Sequence, residues 1–219
     1  DVQDEDTMRG RREEYPAELP DGVLVLTAGV DTQDDRMEYE IVGFGHFGET
    51  WGIEKGIISG RPDSDEVWQQ LEELVFDRKL KVADGRELPV RQRCHNLIGK
   101  KVFCIKGFPG SDRPFTGPPK QVKITVQNRY IGMCWQYQLG VDAGKQIIMD
   151  DLKVQEPGPR YCHFPRRDDY GLGYFNGLLS EHLIYKEGHR NPWQWDKISG
   201  HERNEPLDCR NYAIAAYKV

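Results

Sequence analysis

The chain has 219 residues, 30% of them charged, with a formal net charge of −6 and a mean hydropathy of −0.72. No apolar run approaches the roughly 20 residues that span a bilayer, which excludes an integral helical membrane protein, and the acidic, polar start has no signal-peptide pattern, so secretion is not expected. Five scattered cysteines (Cys94, Cys104, Cys134, Cys162, Cys209), none in a C-x-x-C pair, argue against a disulfide scaffold or zinc ribbon and suit a reducing cytosol.

Residues 1–21 are rich in acids, with two prolines and no apolar period, and read as a linker or arm; the domain proper is expected over 22–219. Val23–Val30 is a continuous apolar run ending on Asp31, the pattern of a buried central strand. Met37–Gly45 alternates, with Met37, Tyr39 and Ile41 set against polar Glu38 and Glu40. Thr50–Ile58 is a third strand, and the short turns between the three suit an antiparallel meander. Asp63-Ser64-Asp65 then opens an amphipathic helix carrying Val67, Trp68, Leu71, Leu74 and Val75, with an N-terminal cap expected.

Leu80–Val82 and Glu87–Val90 read as a hairpin around Ala83-Asp84-Gly85. Val102–Lys106 reads as a buried strand, Phe108–Pro119 as a loop, and Gln121–Val126 and Ile131–Leu139 as strands. Helices are expected over Val141–Leu152, Asp169–Leu179 and Pro206–Lys218, the last with proline in its first turn. Glu181–Tyr185 reads as a strand followed by a Trp/Pro/His-rich loop. Strands and helices in this mixture predict an α/β fold.

The net negative charge conceals a segregation. From Arg78 to Arg129 there are 13 Lys/Arg and three acids, so this window carries +10 and the remainder −16. Such segregation is either a surface that meets phosphates or a solvated basic loop region.

Three places carry candidate chemistry. Asp31-Thr32-Gln33-Asp34-Asp35 is not a calcium loop, because Arg36 stands where glycine is required and Val42 where the bidentate glutamate belongs. Asp31 reads as a turn-forming strand end or as a ligand. Asp208 heads a helical stripe with Tyr212 and Ala216, so it either complements the helix dipole or faces the sheet. His163 reads as a packed core histidine or a functional one. P-loop, G-x-S-x-G, H-E-x-x-H and Rossmann glycine patterns are missing from the sequence. Two distant carboxylates, one ending a central strand and one starting a packed helix, suit a two-metal nuclease site, with oxygen ligands favouring Mg²⁺ or Mn²⁺.

A series of short words carries a resemblance. They are Leu26-Thr27-Ala28-Gly29-Val30-Asp31-Thr32-Gln33-Asp34-Asp35-Arg36, Trp51-Gly52-Ile53, Phe103-Cys104-Ile105-Lys106-Gly107, Gly140-Val141-Asp142, Glu156-Pro157-Gly158, His163-Phe164-Pro165 and Arg203-Asn204-Glu205-Pro206-Leu207-Asp208-Cys209. In this order the chain resembles the nuclease domain of lambda-like bacteriophage terminase large subunits. The resemblance implies an RNase H-like mixed central sheet flanked by helices, and a metal-dependent endonuclease that cuts concatemeric double-stranded DNA during genome packaging. It implies Asp31 and Asp208 as catalytic and metal-binding residues with Mg²⁺ or Mn²⁺. The implied partners are DNA, a terminase small subunit and the portal or procapsid, in the host cytoplasm, with an ATPase domain preceding residues 1–21. His163, Lys106, Lys145, Lys100 and Lys101 are candidate DNA or phosphate contacts.

One word of that family, an Asp-Ser-Gly-Gly-like strand carrying another acid, has no counterpart here. It is expected between Arg93 and Cys94; either the chain lacks this ligand or residues are missing at that junction, and the second is favoured because losing a core strand would unfold the sheet. Two rivals remain at this stage. One is a different RNase H-like nuclease of the resolvase or transposase kind; the other is a non-catalytic DNA- or portal-binding module.

Overall fold

The computed structural model describes residues 4–91, 103–126, 129–189, 191–201 and 203–219. The junction of Arg93 with Cys94, together with Lys100 and Lys101, lies outside them.

The segment expected to be an arm is packed on the body instead. It forms helix α1 (Glu5–Gly10), capped by Asp4, whose Oδ1 accepts from Thr7 N at 2.8 Å. Met8 and Leu19 are fully buried. Single-residue bridges tie Glu13 to Pro165 and Leu19 to Val82. Arg11 donates to the Leu152 and Cys162 carbonyls at 2.8 and 3.4 Å. Two isolated apolar anchors leave no periodic signal, which is why composition alone pointed to a linker.

The expected meander is present. β1 (Val25–Thr32), β2 (Arg36–Phe44) and β3 (Thr50–Ser59) pair antiparallel, with Asp31 opposite Glu38 and Gly29 opposite Glu40. Asp31 is the penultimate residue of β1, near the strand's end as expected. Along β2, Met37, Tyr39 and Ile41 join one core while Val42 and Phe44 join another. Glu38 and Glu40, which alternate with these apolar residues, are fully buried. Both faces of this strand are covered, so its polar residues are paired and not solvated.

Helix α2 (Asp65–Leu71) buries Val67 and Leu71 against the first core, then widens into a π-helical turn over Glu72–Phe76. The expected side-chain cap does not form, because the Ser64 hydroxyl donates to Glu66 at 2.7 Å. β4 (Lys79–Lys81) and β5 (Glu87–Arg91) make the expected hairpin, turning at Gly85 with φ +89°. β5 runs parallel to β1, pairing Leu26 with Val90.

A separate three-stranded sheet follows: β6 (Cys104–Phe108), β7 (Lys120–Val126) and β8 (Arg129–Gly140), in the order β6-β8-β7. β6 was expected as a buried strand but is an edge strand with Lys106 and Gly107 exposed. The apolar letters of Phe-Cys-Ile do not distinguish a core strand from the edge of a small sheet.

β8 runs straight into α3 (Val141–Leu152), after which come β9 (Cys162–His163), a 3₁₀ turn at Asp168–Tyr170 and α4 (Leu172–Leu178). β10 (Glu181–Tyr185) pairs with β11 (Trp193–Lys197), a strand inside the stretch expected to be loop, and α5 (Glu205–Lys218) closes the chain. The main sheet thus runs β4-β5-β1-β2-β3-β9. It is a mixed α/β architecture with α2 against one face and α3, α4 and α5 towards the other.

Candidate active site

The site begins with a glycine. Side chains alternate along a strand, so Thr27, Gly29 and Asp31 share the β1 face that meets α5. At Gly29 a Cβ would fall 2.6 Å from Ala213 N, and closer still to the Cys209 carbonyl oxygen. The helix backbone therefore rests directly on the strand. Thr27 Oγ1 donates to the Ala213 carbonyl at 2.7 Å, and Cys209 Sγ donates to the Glu38 carbonyl at 3.3 Å. Moving from Gly29 to Asp31 advances about 7 Å along the strand, which equals about four to five helical residues. Thr27 and Gly29 meet residues 209–213, so Asp31 meets the first turn of α5, where Asp208 lies.

The two carboxylates feel each other. Asp208 is pushed up to about 7, first by burial, with Asp31, Glu181 and Glu205 raising it further and Lys145 opposing. Asp31 is also raised, chiefly by burial, with Glu205 and Glu38 adding to the shift; a hydrogen bond from Gln33 Nε2 at 2.5 Å opposes it. Asp208 Oδ2 accepts from Asn204 Nδ2 at 3.0 Å. The same Asn204 nitrogen donates to Glu181 Oε1 at 2.9 Å, and Lys145 Nζ holds Glu181 Oε2 at 2.6 Å.

A belt of paired charge flanks the acids. Glu38 is bound by Arg36 at 2.8 Å, by Lys55 at 2.6 Å and by Arg203. Burial opposes its ionisation, but the hydrogen bonds from Lys55 and Arg36 outweigh it and hold its carboxyl below the usual range. Arg36 also reaches Glu205 at 2.6 Å. Every cation of this belt is committed to Glu38 or Glu205. None is hydrogen-bonded to Asp31 or Asp208 among the described residues.

That arrangement leaves two partly desolvated oxygen-donor groups with an unmet demand for positive charge. Hard carboxylate donors suit Mg²⁺ or Mn²⁺ better than zinc. Among the described residues no group of three or more His, Cys, Asp or Glu side chains is arranged to hold a metal ion. Asp31 and Asp208 therefore fit as two members of a ligand set and not as a complete cage.

The other sequence candidates lie elsewhere. Lys145 is buried and engaged with Glu181. Lys106 is exposed on β6, with its ammonium 5.8 Å from the Phe108 ring. His163 pairs across β3 with Trp51, at the opposite end of the strands from Asp31. Its ring nitrogens meet Glu13 at 2.5 Å and Glu49 at 2.9 Å, and its ring stacks on Trp51 at 4.8 Å. Within the basic window, Lys79, Lys81, Lys106, Arg113, Lys120, Lys123 and Arg129 are exposed on β4 and around the small sheet. Arg78 and Arg86 are paired with Glu54 and Asp84. Glu38, Glu181 and Glu205 were not singled out from sequence. Glu205 lay inside a recognised word, but nothing local marks Glu181 or Glu38 as site residues.

A family model described as the terminase large subunit gpA endonuclease domain matches residues 1–219. The chain belongs to that family. The terminase large subunit of Escherichia phage lambda is 31% identical over 238 residues, covering 99% of this chain and 35% of the phage protein. That of Enterobacteria phage P21 is 30% identical over 227 residues, covering 94% and 34%. This chain thus spans about a third of the length of the curated relatives it matches. The lambda alignment is longer than the chain itself, so the relative carries residues with no counterpart here. No solved structure matches. Among the described residues, no helix is long and apolar enough to cross a membrane.

Proposed function

We propose that this terminase endonuclease domain hydrolyses phosphodiester bonds of double-stranded DNA at Asp31 and Asp208, with Mg²⁺ or Mn²⁺ as cofactor. The observation that carries this reading is the convergence of two half-buried carboxylates, from β1 and α5, with no cation hydrogen-bonded to either among the described residues. The β1-β2-β3 meander with β5 parallel to β1 supports an RNase H-like reading of the sheet.

Held by Asp31 and Asp208, divalent ions would supply activation of a water and stabilisation of the leaving oxygen. The chain's own part is placement. Gln33 orients the Asp31 carboxylate and Asn204 that of Asp208. Gly29 lets α5 approach closely enough for the two to meet. The exposed lysines and arginines of β4 and the small sheet hold the duplex through phosphates, which position DNA without reading its sequence. In the full-length protein this activity serves cutting of concatemers during packaging in the host cytoplasm, with small subunit and portal as partners.

The test is plasmid nicking by the wild type and Asp31→Ala with Mg²⁺ or Mn²⁺. Wild-type cutting that is abolished by the substitution supports the assignment; equal cutting by both rejects it. A second reading, a non-catalytic DNA- or portal-binding module, draws on the incomplete ligand set among the described residues. It requires salt-dependent DNA binding without metal-stimulated cleavage.

A further inference from the structure

We infer that Lys145 and Glu181, linked through Asn204, are positioning residues that set the charge and aim of Asp208 towards a divalent cation. This rests on the reading of Asp31 and Asp208 as the cation-holding pair.

Lys145 lies on the stripe of α3 that continues with Ile148 and Leu152, and all three are buried. An ammonium there is out of place unless paired, and Glu181, itself 8% exposed, is its partner at 2.6 Å. Replacing a buried ion pair with apolar side chains is commonly neutral or stabilising, so stability does not explain why both charges are here. Their location does. Glu181 opens β10, and its second oxygen takes one hydrogen bond from the Asn204 amide while Asp208 takes another.

Lys145, Glu181, Asn204 and Asp208 thus form one continuous chain of hydrogen bonds drawn from α3, β10 and the start of α5. It pins one oxygen of Asp208, Oδ2, through the Asn204 amide. It also adjusts charge. Asp31, Asp208, Glu181 and Glu205 are four acids in one neighbourhood, and Lys145 and Arg36 neutralise two of them. Lys145 keeps Glu181 occupied as an anchor, so the cation meets two free carboxylates and not three.

The signature is a pair of opposite shifts. Removing one unit of charge within several ångströms of a divalent ion changes its affinity by about tenfold in a partly solvated site. Lys145→Met leaves Glu181 uncompensated and should bind Mn²⁺ about tenfold more tightly, with slower cleavage because Asp208 has lost its anchor. Glu181→Gln leaves the ammonium uncompensated and should bind Mn²⁺ about tenfold more weakly. The double variant should return close to wild type. A purely structural role would weaken binding in both single variants and would not be repaired by combining them.

Calorimetric titration of the whole domain with Mn²⁺ reads these shifts, with circular dichroism confirming the fold. Asn204→Ala keeps the Lys145–Glu181 pair and covers the case in which Lys145→Met does not fold; it should weaken Mn²⁺ binding several-fold. Wild-type binding with both single variants shifted in the same direction, or with Glu181→Gln and Asn204→Ala unchanged within twofold, overturns the proposal alone. A wild type that takes up no Mn²⁺ overturns the cation-site reading as well.

Discussion

Gly29 lies directly under the Cys209 carbonyl, and this contact decides where Asp31 and Asp208 stand relative to each other. A strand residue with any side chain would lift α5 from β1. The hydrogen bond from Thr27 to Ala213 fixes the rotation of the helix about that point.

Gly29→Ala should therefore act on fold and function together. The added methyl meets backbone on both sides, so relief requires moving the helix and not a flexible side chain. Overpacking of this kind costs about 1–3 kcal/mol. Urea unfolding should show that loss, and nicking should fall at least tenfold because about 1 Å of displacement disrupts catalytic geometry.

Asp208 raised to about 7 makes a signed statement about stability. Between its unfolded pKa near 3.8 and about 7, the folded protein holds a proton that the unfolded chain releases, so this group's contribution to stability falls as pH rises through that window. Asp208→Asn should consequently stabilise the metal-free domain at pH 8, by about 2 kcal/mol after allowance for solvent screening. The advantage should vanish below pH 4. Thermal melts in EDTA at the two pH values check this, and a lower Tm for the variant at pH 8 would contradict it.

Mn²⁺ or Mg²⁺ should reverse the order of those two proteins. A cation that binds only the folded state stabilises by mass action, about 2.7 kcal/mol at a hundredfold excess over its dissociation constant. Wild type should gain several degrees of Tm with added metal, while Asp208→Asn should gain little. Equal gains would place the binding elsewhere.

Arg210 and Glu40 form a different kind of pair. They meet at 2.8 Å with side chains 1% and 0% exposed, and Tyr174 and Tyr170 also donate to Glu40 at 2.8 and 3.2 Å. Arg210→Met should cost about 3–5 kcal/mol by leaving the carboxylate buried without its cation. Glu40→Leu in the same chain should recover most of that loss. Chemical denaturation of the three proteins measures both steps.

His163→Ala should separate structure from chemistry. The substitution removes the link to Glu13 and the stack on Trp51, so residues 4–21 should become easier to cleave with trypsin at Arg11 or Arg12. Metal-dependent nicking should persist, since His163 lies at the other end of the strands. Complete loss of nicking in a folded variant would show that the histidine does belong to the reaction.

Much of this was legible in the sequence for physical reasons. The apolar β1, the alternating β2, the Gly-containing β4–β5 turn and the proline-led α5 each carry their signal within a few residues. Local sterics and side-chain period therefore determined the meander, the hairpin and the closing helix. The words around Asp31 and Asp208 pointed to the two acids. What only the tertiary structure decided is what surrounds them. The burial of Glu38 and Glu40 depends on α5 covering the second face of β2. The roles of Lys145 and Glu181 depend on α3 and β10 converging on Asn204, from positions 36 residues apart in the chain. The attachment of residues 4–21 depends on the apolar anchors Met8 and Leu19 and on polar links from Arg11 and Glu13, all to partners far along the chain. Such relations arise from packing between distant segments, and no local period or spacing encodes them.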